Sequence, residues 1–243
     1  MVRIKFLGTG TSYPTSKRVS SSCLIFVDEK KLLLDIGPGV LRRLTEMNIP
    51  LEEIDIVFLT HFHVDHSSDL PAFLFSSNYG MGPRKRPLFI IGGDGVKSFF
   101  SKLCKAYPWI KPKTYTLTIL KLVNRSYEWN GILISTKRVN HNKESIAIRL
   151  DTSVSLVFTG DTDFSKNLIE ISRGVDLLIT ECSFPRTKIK GHMNLETVKK
   201  VVCKAKPKEV ILTHLYPEWD EIKCDKLAPF RLAEDGMEIV FGD

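Results

Sequence analysis

The chain reads as short apolar runs cut by polar turns. "VRIKFLG" alternates polar and apolar residues and predicts a first strand. "SCLIFV" and "KLLLDI" predict strands two and three, joined by a turn at Asp28-Glu29-Lys30. Pro38 and Gly39 open a helix over "VLRRLTEMN", whose apolar positions repeat at helical spacing. "DIVFLT" is a brief run of strand formers, which predicts a buried strand. A helix is expected from about Asp69 to Ser77. The basic loop "GPRKRP", a strand "LFIIGG" and an amphipathic helix "GVKSFFSKLCKAY" follow.

From Tyr115 to Thr159 the pattern changes. "TYTLTILKLV", "ILISTKRV", "SIAIRL" and "SLVFTG" predict four strands with little helix between them. After Asp161 the alternation returns, with "NLIEIS" as helix, "DLLITE" as strand, "ETVKKVVCKA" as helix and "EVILTH" as strand. Strands carrying helices in both halves predict an α/β fold of two packed sheets with helices outside. No Ser/Gly/Pro-rich linker interrupts the chain, so residues 1–243 are expected to form one domain.

Composition narrows the class. The chain has 243 residues, 43% hydrophobic and 26% charged, which suits a protein with a real core. No apolar run approaches the roughly 20 residues needed to span a bilayer. The start "MVRIKFLG" lacks a signal-peptide core, so a cytoplasmic protein without a membrane partner is expected. The five cysteines (Cys23, Cys104, Cys182, Cys203 and Cys224) form no CxxC pair and read as reduced thiols. The net charge of +7 favours anionic partners such as nucleotides or RNA, although lysine-rich faces also simply solvate.

The chemistry concentrates in "IVFLTHFHVDHSSDL". His61, His63, Asp65 and His66 crowd into six positions directly behind an apolar strand. A strand that ends in a loop delivers polar side chains to the sheet edge. His61 and His63, two apart on extended backbone, point to one side. They would serve one metal ion, and Asp65 with His66 a second. Imidazole and carboxylate suit zinc, with manganese or iron as alternatives. Three more ligand types end apolar runs elsewhere. His141 follows "ILISTKRVN", Asp161 follows "SLVFTG" and His214 follows "EVILT". His141 would complete the first site and His214 the second, with Asp161 bridging. Such a pair, roughly 3.5–4 Å apart, activates a hydroxide near neutral pH.

"THFHVDH" resembles the T-H-x-H-x-D-H signature of the metallo-β-lactamase superfamily. "FTGDT" resembles its bridging-aspartate motif and "LTH" its last ligand motif. The likeness implies a four-layer αββα sandwich and two divalent metal ions held by His61, His63, Asp65, His66, His141, Asp161 and His214. Histidine at position 63 speaks for hydrolysis, where other branches carry glutamate. Aspartate at 161 sets the chain apart from β-lactamases that carry cysteine there.

"FLGTGTSYPTSKRVSSSCLI" and "HNKESIAIRL" resemble the opening and the third ligand motif of ribonuclease Z. "GHMNLETVKKVVCKA" resembles that family's later histidine loop and helix. It implies His192 as proton donor to the leaving oxygen, beside catalytic Asp65, with Asn194 also able to cap the helix that follows. Ser21, Ser22, Arg84, Lys85, Arg86 and Asn194 are the expected substrate contacts. Arg186, Lys188 and Lys190 are further candidates to guide a phosphate. The family's long tRNA-gripping arm is missing, since only two plain strands fit between His141 and Asp161. The expected activity is therefore a phosphodiesterase or ribonuclease Z-like nuclease acting on a phosphodiester, RNA or nucleotide, with a homodimer as one possible assembly. Two rivals stay open: a lactone, thioester or β-lactam hydrolase of the same fold, and a non-catalytic metal-bound nucleic-acid-binding protein.

Overall fold

The computed structural model describes residues 1–80, 82–222 and 227–241, so Cys224 lies outside the described residues. The first sheet takes β1 (Val2–Gly8), β2 (Ser22–Val27), β3 (Lys30–Leu34), β4 (Ile56–Leu59), β5 (Leu88–Gly92) and β6 (Leu117–Lys121). The second takes β7 (Ser126–Trp129), β8 (Ile132–Arg138), β9 (Ile146–Asp151), β10 (Ser155–Phe158), β11 (Leu177–Glu181), β12 (Glu209–Thr213) and β13 (Arg231–Leu232). The chain returns to the first sheet with β14 (Glu238–Phe241), which pairs with β1.

The two sheets pack face to face. Ile4, Phe6, Ile25, Leu34 and Phe58 of one meet Ile134, Ile148, Phe158, Ile179 and Ile211 of the other in one buried cluster. The outer faces are covered by helices: α1 (Val40–Glu46), α3 (Leu70–Tyr79) and α4 (Val96–Ala106) over the first sheet, α5 (Lys166–Ile171) and α6 (Leu195–Ala205) over the second. Central strands are buried on both faces, which is why they read as continuous apolar runs such as "LLL" and "IVFL". This is the expected αββα sandwich.

Three details differ from the sequence reading. The "TYTLTILKLV" run supplies β6 to the first sheet, so the crossover between sheets falls after Lys121. The strand β7 was not anticipated. "SYEW" is a mostly polar edge strand, and only Trp129 is buried. The short turn of helix α2 (Val64–Ser67), inside the histidine motif itself, was also unforeseen.

Chain direction fixes where the chemistry gathers. Strands β3, β4 and β5 run parallel, as do β10, β11 and β12, and β8 runs with β10 because both are antiparallel to β9. Residues just past the carboxyl ends of these strands therefore collect at one edge, where open α/β sheets bind ligands. Asp35, His61, His141, Asp161 and His214 all stand one to three residues beyond such an end. Gly160 lets the two sheets close there. At φ +56° a side chain would be strained, and a Cβ would lie 2.5 Å from the Cβ of Thr60.

The same geometry corrects one expectation. Arg84, Lys85 and Arg86 precede β5 and so sit at the opposite pole. Arg86 pairs at 2.7 Å with Asp55, which stands before β4. Arg84 is buried, and its guanidinium donates to the carbonyls of Arg86 (2.8 Å), Leu51 (3.1 Å), Pro87 (2.9 Å) and Ile54. Burial pulls its pKa down to about 10. It staples loops and has no face left for a phosphate. Arg84→Met should cost about 1–3 kcal/mol of stability through the stranded carbonyls, read by chemical denaturation, with unchanged diester turnover per folded molecule. Lost turnover at normal stability would return Arg84 to the substrate path.

Candidate metal centre

All six histidines of the chain converge at this edge. Two groups of potential ligands share Asp161. His61, His63, His141 and Asp161 form one, and Asp65, His66, Asp161 and His214 the other, each with ligand atoms within 4.8 Å of one another. The two oxygens of Asp161 divide between them. Its Oδ2 lies 3.7 Å from His61 Nε2 and 3.9 Å from His141 Nε2. Its Oδ1 lies 3.3 Å from both His66 Nε2 and His214 Nε2. Asp65 Oδ2 closes the second group at 3.5 Å from His66 Nε2 and 3.4 Å from His214 Nε2.

Hydrogen bonds outside the cluster decide which ring nitrogen faces inward. Asp35 Oδ2 accepts from His66 Nδ1 at 2.7 Å and from the Thr60 hydroxyl at 2.7 Å. That hydroxyl, having given its proton to Asp35, accepts from His61 Nδ1 at 3.1 Å. The Gly191 carbonyl accepts from His141 Nδ1 at 2.9 Å. Ser183 Oγ donates to Glu181 Oε2 at 2.9 Å and so accepts from His214 Nδ1 at 3.1 Å. Four imidazoles thus commit Nδ1 to these acceptors and turn Nε2 inward, the nitrogen a metal would take. His63 is reversed. Its Nδ1 faces His141 Nε2 at 3.2 Å, and the Asn142 amide meets its Nε2 at 2.9 Å.

The fit to cations rests on what these atoms lack. His61 Nε2, His66 Nε2 and Asp161 Oδ1 are buried with no hydrogen-bond partner. A buried polar atom left unpaired costs about 1–3 kcal/mol. Three such atoms aimed at one another make sense as ligands of a positive ion. Burial, with His66 beside it, pushes His61 well below the ordinary histidine pKa, which keeps it neutral for binding. Burial alone would raise the pKa of Asp161, but His214, His66 and His61 reverse that and hold it well below the carboxylate range. Among the described residues no cysteine joins either group, so the donor set is nitrogen and oxygen.

His192 stands at the rim. Its Nδ1 donates to Glu181 Oε1 at 3.0 Å, its ring stacks 5.6 Å from His214, and Asp161 Oδ2 is 3.9 Å away. Burial opposes charging the ring, but Glu181 and Asp161 outweigh it and raise the pKa. Glu181 is itself buried and accepts from the N–H groups of Thr162 (2.8 Å), Ser183 and Met193 (both 3.2 Å). Glu181, His192 and His214 also lie close enough to suggest a third metal group. His214 turns Nδ1 to that side, where Ser183 already takes its proton, so this is a hydrogen-bond network.

Two more substrate-contact expectations are corrected. Asn194 caps α6, as its chemistry suggested, and is consumed by doing so. Its Oδ1 accepts from Thr197 N–H (3.0 Å) and hydroxyl (2.8 Å), and its Nδ2 donates to the Arg186 carbonyl. Ser22 donates to the Asp35 carbonyl at 2.8 Å from a fully buried position. Ser21 is buried with its hydroxyl unpaired. Lys85 is exposed at the far pole. Lys188 is held at 2.6 Å by Asp163, while Lys190 lines the open cavity beside His141 with Arg138, Asn140 and Asn142.

Sequence reasoning passed over Asp35, Glu181, Ser183 and the Gly191 carbonyl. The carboxylates left a trace: "LLLD" and "LLITE" are apolar runs ending in an acid, the pattern that singled out Asp161. Asp35 carries φ 60° and His214 φ 56°, left-handed backbone that non-glycine residues avoid, so the fold holds both under strain of order 1–3 kcal/mol. A backbone carbonyl leaves no sequence signal.

The sequence profile of the family described as "Anti-Pycsar protein Apyc1" matches residues 2–238. The probable metallo-hydrolase YhfI of Bacillus subtilis is 29% identical, over 88% of this chain and 87% of that protein. A ribonuclease Z of Saccharolobus islandicus is 27% identical, over 91% of each. The crystal structure of YhfI, a metallo-β-lactamase fold protein, superposes with a TM-score of 0.82 at 25% identity, covering 98% of both chains. Human tRNase Z, short form, does so at 0.82 and 20% identity, covering 99% of this chain and 100% of that one.

Proposed function

The chain belongs to the anti-Pycsar protein Apyc1 family, and on that premise we propose that it hydrolyses small phosphodiesters at a dinuclear centre. It is a metal-dependent hydrolase of the metallo-β-lactamase fold, on the ribonuclease Z-like branch. The observation that carries the finer reading is Asp161, one oxygen to each ligand group, with His192 at the rim held against Glu181.

His61, His63, His141 and Asp161 would hold one divalent ion, and Asp65, His66, Asp161 and His214 the other. Zinc suits the all-nitrogen-and-oxygen set, with manganese or iron as alternatives. When bound, such a pair polarises phosphoryl oxygens and lowers the pKa of water toward neutrality.

The remaining work belongs to the protein. Asp65, whose Oδ2 faces His66 and His214 as the ligand atom, has a second carboxylate oxygen to orient the attacking water by accepting a hydrogen bond. Glu181 keeps Nδ1 of His192 occupied, so Nε2–H is the proton that meets the leaving oxygen. Lys190 lines the cavity beside His141 and favours an anionic substrate there, whereas Arg138 in the same wall is paired with Asp94. Residues 1–243 act as one domain. Among the described residues no helix is long and apolar enough to cross a membrane; a cytoplasmic site of action is part of the proposal.

Between His141 and Asp161 the chain makes only β9, β10 and their turns, with no protruding arm. Remote binding energy of the kind an arm supplies helps position a large substrate. Bis(p-nitrophenyl) phosphate and short oligonucleotides should therefore be cleaved well above lactones, thioesters and β-lactams, while precursor tRNA is cut poorly. The check is a panel with the metal-loaded chain. Faster turnover of carboxylic esters would reverse the reading, and efficient, site-specific 3′ processing of precursor tRNA would restore a full ribonuclease Z role, with a homodimer partner as the missing grip.

A further inference from the structure

His141 is the one histidine of the two groups whose Nδ1 proton goes to a backbone carbonyl, that of Gly191. That carbonyl sits in an exposed loop, with Arg186 to Lys190 all solvent-facing. Exposed loops place a carbonyl poorly unless something ties them down.

Asp163 supplies the tie. Its N–H donates to the Asn140 carbonyl at 2.7 Å, an isolated bridge that pins it beside His141. Its Oδ1 accepts from Lys188 Nζ at 2.6 Å and from Phe164 N–H at 2.6 Å, and the Gly191 N–H also faces this carboxylate. Lys188 Nζ reaches on to the carbonyls of Ile189 (3.3 Å) and His192 (2.5 Å). Gly191 approaches so closely that a Cβ would lie 3.1 Å from His141 Nδ1, and its φ of +87° suits only glycine. One ion pair therefore grips both sides of the Gly191-His192 step: Gly191 sets the ring of His141, and His192 is the proposed donor.

We propose that Asp163 and Lys188 form a positioning pair, outside the ligand set, that holds the 188–192 loop so that Gly191 orients His141 toward its ion and His192 stays against Glu181. The inference rests on the ligand and donor roles proposed above. It makes affinity for the ion of the His61–His63–His141 group depend on a salt bridge that touches no metal.

The test is chelator competition on the zinc-loaded full chain, comparing wild type with Asp163→Ala, Asp163→Asn and Lys188→Met. Partners that orient a metal-bound imidazole typically matter by 10–100-fold in affinity. One of the two zinc ions should be released about 10–100-fold more readily from Asp163→Ala, less so from Asp163→Asn and Lys188→Met, and the other should keep its wild-type affinity. Unchanged affinity for both ions in Asp163→Ala and Lys188→Met would overturn the proposal. So would equal weakening of both, which marks a general loosening. Lys188 is exposed, so Lys188→Met decides the question alone if Asp163→Ala fails to fold. Wild-type protein that binds no zinc in this assay would instead sink the reading on which the inference stands.

Discussion

Asp161→Ala should purify with little metal at either position and with diester hydrolysis at background. The reason is geometric. Asp161 alone has one oxygen among His61 and His141 and the other among His66 and His214. Removing any other ligand leaves one group complete, whereas removing this one opens both. The substitution also strips the buried imidazoles of their shared counter-charge, since Asp161 offsets burial at His61, His66 and His141. Elemental analysis of protein purified without chelator is the measurement: about two ions for wild type, well under one for the variant. Asp161→Asn should fall between, because it keeps the shape and gives up the charge. Wild-type metal content in Asp161→Ala would show that this carboxylate does not bridge.

His192→Ala should do the opposite, keeping the metal and losing the rate. A positioned proton donor contributes about 10²–10⁴-fold, and that is the expected fall for a diester with an alkoxide leaving group. With p-nitrophenolate, which departs without a proton, the loss should shrink toward unity. Glu181→Gln offers an independent reading of the same chemistry. Burial favours neutral His192, and the hydrogen bond and charge of Glu181 reverse that. Without the charge, His192 should lose its proton at lower pH, and the alkaline limb of the alkoxide-substrate profile should move down. An equal loss on both leaving groups would make His192 a phosphate contact, and loss of metal would make it a ligand.

The ligand types were legible in the sequence because short parallel strands end where chemistry begins. An apolar run of four to seven residues followed by His or Asp carries both facts at once, so "IVFLTHFHVDH", "SLVFTGD" and "EVILTH" could be read as one place. The residues that aim those ligands were less legible. Asp35 and Glu181 follow the same rule and could have been found by it. Ser183 and Gly191 act through a hydroxyl and a carbonyl that any loop might offer. The basic loop misled for a different reason: Arg84 to Arg86 are near His61 in number, but a parallel strand's start and finish lie at opposite poles. Charge counted along a sequence has no direction until strand polarity is assigned. The edge strand β7 escaped because a strand with one wet face and few apolar residues resembles a loop.

The division of the ligand types between the sheets has a consequence for the order of synthesis. His61, His63, Asp65 and His66 leave the ribosome early, on the first sheet, while His141, Asp161 and His214 come later, on the second. A nascent chain holding only the first four has half of each group and no shared carboxylate. It has little hold on an ion until the second sheet has docked. On the proposed ligation, cation capture is thus a late event that reports completion of the fold, and by mass action it would draw the finished sandwich away from its partly assembled forms, by about 2.7 kcal/mol when free ion stands at a hundred times its dissociation constant. A chain cut short before His214 can complete only the first group, so it gains at most the share of this stabilisation that one ion supplies.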